Sequence, residues 1–220
     1  MSDSTRLLNK FQPKHYNIYL DINRAQKLIT GQTTITGDAK VKTISINQKG
    51  LTVSAVKADG QAVSFKDNPA QEAIDIDLAK TGDVTLVIDY TAALTDSMMG
   101  IYPSYYEING EKKQIIGTQF ETTAARQAFP CVDEPAAKAT FDLAIKYDEH
   151  AGETTIGNMP ELKVEAGVHY FDTTVKMSTY LIAFAFGELR SKLTTTKSGV
   201  KVGVFGTKAH QANELDFALD

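Results

Sequence analysis

At 220 residues, 42% hydrophobic and 23% charged, the chain has the balance of an ordinary globular protein and enough length for one substantial core. A formal net charge of −4 is the wrong sign for a nucleic-acid surface or an anionic bilayer, so no nucleic acid and no membrane is expected as a partner. The single cysteine, Cys131, excludes an internal disulfide, and the longest plainly apolar run, 180–186, is far short of the ~20 residues a membrane span needs.

Residues 1–12 read as a loose leader without the apolar centre of a signal peptide, so a cytoplasmic protein is expected. From His15 the pattern has period two. Tyr16, Ile18, Leu20 and Ile22 alternate with His15, Asn17, Tyr19 and Asp21, as in a strand with one buried face. Residues 28–36 are rich in threonine and β-branched side chains, with bends expected at Gly31 and Gly37. Short strands follow at 41–46 and 51–56, and Asp59-Gly60 is a hairpin signal leading to Val63 and Phe65. Ile74, Ile76 and Leu78 alternate with Asp75 and Asp77, and 84–90 is a denser apolar run suited to a sheet interior.

Asn109-Gly110 marks a second hairpin, leading into 113–116. Phe141, Leu143, Ile145 and Tyr147 alternate again. Further strands are expected at 154–156, 168–175, 180–186, 187–195 and 200–205, the last two joined at Ser198-Gly199. So many short strands, with almost no helical period, predict an all-β fold: antiparallel packed sheets in a saddle-like sandwich. Two helical pieces interrupt it. One is an alanine-rich turn at 124–128. The other is 209–220, where Ala212, Leu215, Phe217 and Leu219 fall loosely on one side with no closing glycine. The expected division is a β domain over 1–206 and, at 207–220, the start of a truncated C-terminal helix leading to further polypeptide.

Residues 117–141 hold the densest chemistry. Read as extended chain, Thr118-Gln119-Phe120-Glu121 puts Gln119 and Glu121 on one face and Phe120 on the other. Phe129-Pro130 ends the alanine-rich turn, because the residue before proline is pushed out of the helical region. Arg126, Asp133 and Glu134, set around tight turns, are expected to form an internal ion-pair network. Cys131, after a proline and with no histidine near it in sequence, is expected to be a buried, inert thiol. Lys138 reads as solvated. Tyr102, Tyr105 and Tyr106 suit strand packing, with the rim of a cleft as the alternative.

Thr118-Gln119-Phe120-Glu121, followed by Ala125-Arg126-Gln127-Ala128-Phe129-Pro130-Cys131-Val132-Asp133-Glu134-Pro135, resembles the signature of the gluzincin aminopeptidases of the aminopeptidase N type. Met99-Gly100-Ile101-Tyr102 with Ser104-Tyr105-Tyr106, Pro13-Lys14-His15-Tyr16 and the run from Met177 to Phe184 are similar to further segments of that family. Val132 stands where the family commonly has an aromatic and Pro103 where it often has a basic residue.

The resemblance implies the non-catalytic N-terminal domain of a zinc metalloaminopeptidase that removes N-terminal residues from peptides. By the same resemblance Glu121 anchors the substrate's α-ammonium group and Gln119 lines part of the first side-chain pocket. One zinc ion is implied, in a catalytic domain this chain does not include and with which it makes intramolecular contact. Within the chain no histidine is followed by glutamate, and His15, His150, His169 and His210 are far apart. No metal ligand set and no catalytic residue is therefore expected here, and the chain alone is expected to be inactive. The alternative from another class is a free-standing β-sandwich that binds a ligand or protein, which would have no need of the 117–141 signature.

Overall fold

The computed structural model describes residues 6–219. These form seventeen strands, β1 (Phe11–Asn23), β2 (Leu28–Ala39), β3 (Thr43–Asn47), β4 (Thr52–Ala58), β5 (Gln61–Ala62), β6 (Phe65–Asn68), β7 (Ala73–Asp77), β8 (Gly82–Ala93), β9 (Gly100–Ile108), β10 (Glu111–Gln119), β11 (Thr140–Tyr147), β12 (Thr154–Gly157), β13 (Glu161–Glu165), β14 (Val168–Phe171), β15 (Phe184–Gly187), β16 (Leu189–Thr195) and β17 (Lys201–Thr207). An eight-stranded sheet runs in the order β13-β14-β11-β1-β2-β8-β4-β5. A four-stranded sheet (β12-β15-β10-β9), a three-stranded sheet (β3-β7-β6) and the hairpin β16-β17 complete the all-β architecture.

Period-two patterning explains the large sheet. On β1 the residues Tyr16, Ile18, Leu20 and Ile22 are buried while their neighbours face outward, and on β8 Val84, Leu86, Ile88 and Tyr90 do the same. These side chains share one core with Ile44 and Ile46 of β3, Ile74 and Ile76 of β7, and Ile116 and Phe186 of the four-stranded sheet. Each such aliphatic side chain contributes about 1.5–3 kcal/mol of burial. Asp59-Gly60 and Asn109-Gly110 turn their hairpins with both residues at positive φ, the backbone that two-residue hairpins with right-handed strand twist require.

The structure departs from the sequence expectations at several points. Residues 6–12 are not a loose leader: Leu7 and Phe11 are buried and β1 begins at Phe11, because two large apolar side chains flank the polar ones. The expectation for residues 1–5 lies outside the described residues. One pair in the large sheet runs parallel, Tyr16 lying opposite Phe141 and Ile22 opposite Tyr147. Alternation in two strands is satisfied by either direction; the long connection between them allows the parallel one. Residues 180–186 form a 3₁₀ turn (Thr179–Leu181) before the short β15 rather than one strand. The edge strand β13, exposed along its whole length, was not expected from the sequence.

At the C-terminal end the helical piece is a 3₁₀ helix, Ala212–Ala218, started by a capping box between Gln211 and Glu214. Leu215 turns inward against Gly206 while Phe217 faces solvent, so the side chains do not share one apolar face. Among the described residues no helix is long and apolar enough to cross a membrane.

Gly31 and Gly37 are not bends but interior positions of β2 over which aromatic rings lie. Gly31 sits opposite Tyr90, and a Cβ there would stand 2.2 Å from the ring's Cζ. Gly31→Ala is therefore expected to destabilise the chain by about 1–3 kcal/mol in urea unfolding. Gly117→Ala is the control: a Cβ at Gly117 meets nothing within 4 Å. Equal stability of the two variants would show that the Tyr90 ring shifts freely.

Candidate functional site

The site residues are placed by β10 and the loop that follows it. Gln119 is the last rung of β10, paired with Gly100 of β9. The chain then sends Phe120 into the core and leaves Gln119 and Glu121 exposed, the alternation expected from the sequence. Phe120 meets Phe129 edge-on at 6.0 Å between ring centres, Phe129 meets Tyr16 edge-on at 6.4 Å, and Tyr16 stacks on Phe141 at 4.9 Å. Four aromatic rings thus fasten both ends of the loop to β1 and β11. The Ala124 N–H donates to Phe120 O at 2.8 Å, and a 3₁₀ turn follows over Ala125–Gln127. The Glu121–Thr122 peptide bond is cis.

Arg126, Asp133 and Glu134 of the loop have internal partners. Arg126 donates through Nε to Asp133 Oδ2 at 3.0 Å and through Nη1 to Glu72 Oε2 at 3.1 Å. Asp133 is buried and also accepts from the Thr179 hydroxyl at 2.7 Å, while its N–H donates to Asn47 Oδ1. A hydrogen bond from Lys49, helped by Arg126, holds the Glu72 carboxyl below its ordinary pKa. Glu134 stands apart from this network, its Oε1 accepting the Leu7 N–H at 2.6 Å. Cys131 is fully buried, and burial followed by the nearby Asp133 charge pushes its thiol well above the ordinary range, so it is no nucleophile. Lys138 is exposed, as expected.

Against this background Glu121 is conspicuous. Its carboxylate has no hydrogen-bond or ion-pair partner among the described residues; only its backbone carbonyl is engaged, accepting from Gln119 Nε2 at 3.4 Å. A cavity of about 760 Å³ has Thr123, Arg126 and Glu134 in its wall, and a smaller one of about 280 Å³ has Thr118 and Tyr102. Gln119 and Glu121 lie in sequence between these two walls and line neither. Tyr105 and Tyr106 are not core residues. They flank a third cavity, with their hydroxyls on Asp96 and on the Glu188 carbonyl.

The histidines do not come together. His15 faces Thr140 and Asp142, and His150 and His210 are on the surface beside Glu153 and Glu214. His169 is buried, with Glu161 2.7 Å from Nδ1 and Glu149 3.6 Å from Nε2. Two carboxylates on opposite ring nitrogens cannot converge with that ring on one ion. Among the described residues no group of three or more His, Cys, Asp or Glu side chains could hold a metal. Gln127, at the end of the 3₁₀ turn, lies against Gly100, the residue paired with Gln119; both belong to the segments that carry the resemblance, but nothing in the sequence brings them together.

The sequence matches the family described as the Peptidase M1 N-terminal domain over residues 12–181. It is 56% identical over 215 residues to aminopeptidase N of Lactobacillus delbrueckii subsp. lactis and 58% identical over 216 residues to aminopeptidase N of Lactobacillus helveticus. In each case 98% of this chain and 26% of the relative are covered. Endoplasmic reticulum aminopeptidase 1 of Mus musculus is 37% identical over 238 residues, covering 99% of this chain and 25% of the relative. The chain therefore spans about a quarter of the length of these curated relatives. With the match running through the large sheet, the Gln119–Glu121 strand end and the Arg126–Asp133 loop, this chain belongs to the peptidase M1 N-terminal domain family.

Proposed function

We propose that this chain is the non-catalytic N-terminal domain, residues 1–206 with a connecting segment from 207, of a zinc metalloaminopeptidase acting on peptide N-termini in the cytoplasm. Glu121 receives the substrate's α-ammonium group and Gln119 lines part of the pocket for the first side chain. The observation that carries the reading is the unpartnered, exposed Glu121 carboxylate beside a loop whose arginine and aspartate are matched internally. A carboxylate left free at the end of a strand that is fixed by Phe120 needs no rearrangement to accept a cation.

The zinc ion that such enzymes use to activate water is, in this reading, held by polypeptide outside the chain; among the described residues no group of three or more His, Cys, Asp or Glu side chains could hold it. The anchor's contribution is selective. A charged hydrogen bond is worth about 1.5–3 kcal/mol after desolvation, and it is made only by a substrate with a free amine. In the full-length enzyme, Glu121→Ala is expected to lower kcat/KM on aminoacyl substrates by about one to two decades with folding unchanged. Unaltered kinetics would remove Glu121 from the role.

A further inference from the structure

We infer that Gln127 is a specificity-determining residue, giving the pocket for the substrate's first side chain a second amide wall; the inference rests on the reading of Gln119 and Glu121 proposed above. Gly100 opens β9 at a φ of +73° and lies directly across the strand pair from Gln119. The space a side chain at 100 would enter is taken by Gln127, whose Cβ and Oε1 stand 3.3 and 3.8 Å from that starting point. Gln119 and Gln127 thus flank one glycine, on a strand pair whose next residues are Phe120 and Glu121.

The backbone under Gln127 is fixed. Its N–H donates to Ala124 O at 3.0 Å, Ala125 before it is buried, and Arg126 is locked to Asp133 and Glu72. Its side chain is different: half-exposed, with no hydrogen-bond partner among the described residues. A carboxamide in that position offers one acceptor and two donors on a rigid base. With the Glu121 carboxylate assigned to the α-ammonium group, the two amide oxygens are left to the first side chain and favour one that ends in a hydrogen-bond donor or a cation. Arginine and lysine are of that class; leucine gains nothing from the amides.

The test uses the full-length enzyme with arginine and leucine aminoacyl chromogenic substrates. Gln127→Leu is expected to lower the arginine-to-leucine ratio of kcat/KM about tenfold, and Gln127→Glu to raise it. The thermal midpoint is expected to stay unchanged, because the side chain makes no hydrogen bond to lose. A purely structural role would slow both substrates alike and leave the ratio still. A ratio within twofold of the parent in both variants overturns the inference. Gln119→Leu, measured alongside, separates the two readings. A ratio that responds at 119 but not at 127 leaves the pocket standing and removes Gln127 from it. A ratio that responds at 127 supports the second wall whatever Gln119 does.

Discussion

Asp133→Ala is expected to lower the unfolding free energy of the chain by about 3–5 kcal/mol, the scale for breaking a buried, hydrogen-bonded ion pair from one side. The aspartate is buried, and three groups depend on it: Arg126 Nε, the Arg126 N–H and the Thr179 hydroxyl. Its removal leaves the Arg126 guanidinium only Glu72 and the backbone carbonyl of residue 133, and orphans the Thr179 hydroxyl in the interior. Asp133→Asn is the informative companion. It keeps the shape and an acceptor for Thr179 but discards the charge facing the guanidinium. An intermediate loss, measured by urea unfolding, is expected. If both variants unfold like the parent, the network does not hold the loop, and the rigidity assigned to the backbone under Gln127 loses its support.

Arg24→Met is expected to be equally costly, about 3–5 kcal/mol, at the far end of the large sheet. The Arg24 guanidinium is 3% exposed and binds both oxygens of Glu153, at 2.6 and 3.0 Å, and Asp148 at 2.9 Å. It also lies 5.7 and 5.6 Å from the ring centres of Tyr147 and Phe186, which stack on each other. Methionine preserves much of the volume, so the cost is electrostatic. Glu153 is 4% exposed and would be left charged without its partner. Adding Glu153→Gln to Arg24→Met should recover part of the loss, since it removes the stranded charge. Lys14→Ala is the contrast: its pair with Asp83 is open to water and should matter by less than about 1 kcal/mol. Similar costs for Lys14 and Arg24 would contradict the account.

The Asp133 variant concerns an interaction the sequence half revealed, whereas the Arg24 pairs were not read from the sequence at all. Arg126 and Asp133 invite pairing because they sit seven positions apart around tight turns. Nothing in the sequence points to Glu72, 54 positions from Arg126, or to Thr179, since those partners are chosen by strands that meet only in the folded chain. Alternation made the buried faces of β1 and β11 legible residue by residue, and it placed Phe120 opposite Gln119 and Glu121; β8 was legible only as a dense apolar run. Alternation carries no direction, which is why the parallel pairing of β1 with β11 was invisible. Glycine within a strand pattern is ambiguous between a bend and a seat for a ring. Gly31 and Gly37 prove to be seats, for Tyr90 and Phe11, partners that sequence distance hides. Leu7 and Phe11 looked like parts of a leader because Leu7, Leu8 and Phe11 among polar residues make no period. The candidate site was legible through the 118–121 pattern and its resemblance to a known signature. Gln127 was not, because an uncharged residue at the end of a short turn gives no sign of which glycine it covers.

The proposed role of position 121, recognition of a charged amine, is tested by comparing two ligands in one enzyme. In the full-length protein, binding of a dipeptide analogue should be measured with its α-amine present and with that amine replaced by hydrogen, in the parent and in Glu121→Ala. The parent is expected to prefer the amine-bearing ligand by about one to two decades and the variant to lose most of that preference, because a charged hydrogen bond disappears with the carboxylate. A preference that survives intact in Glu121→Ala would contradict it and place the amine's partner elsewhere.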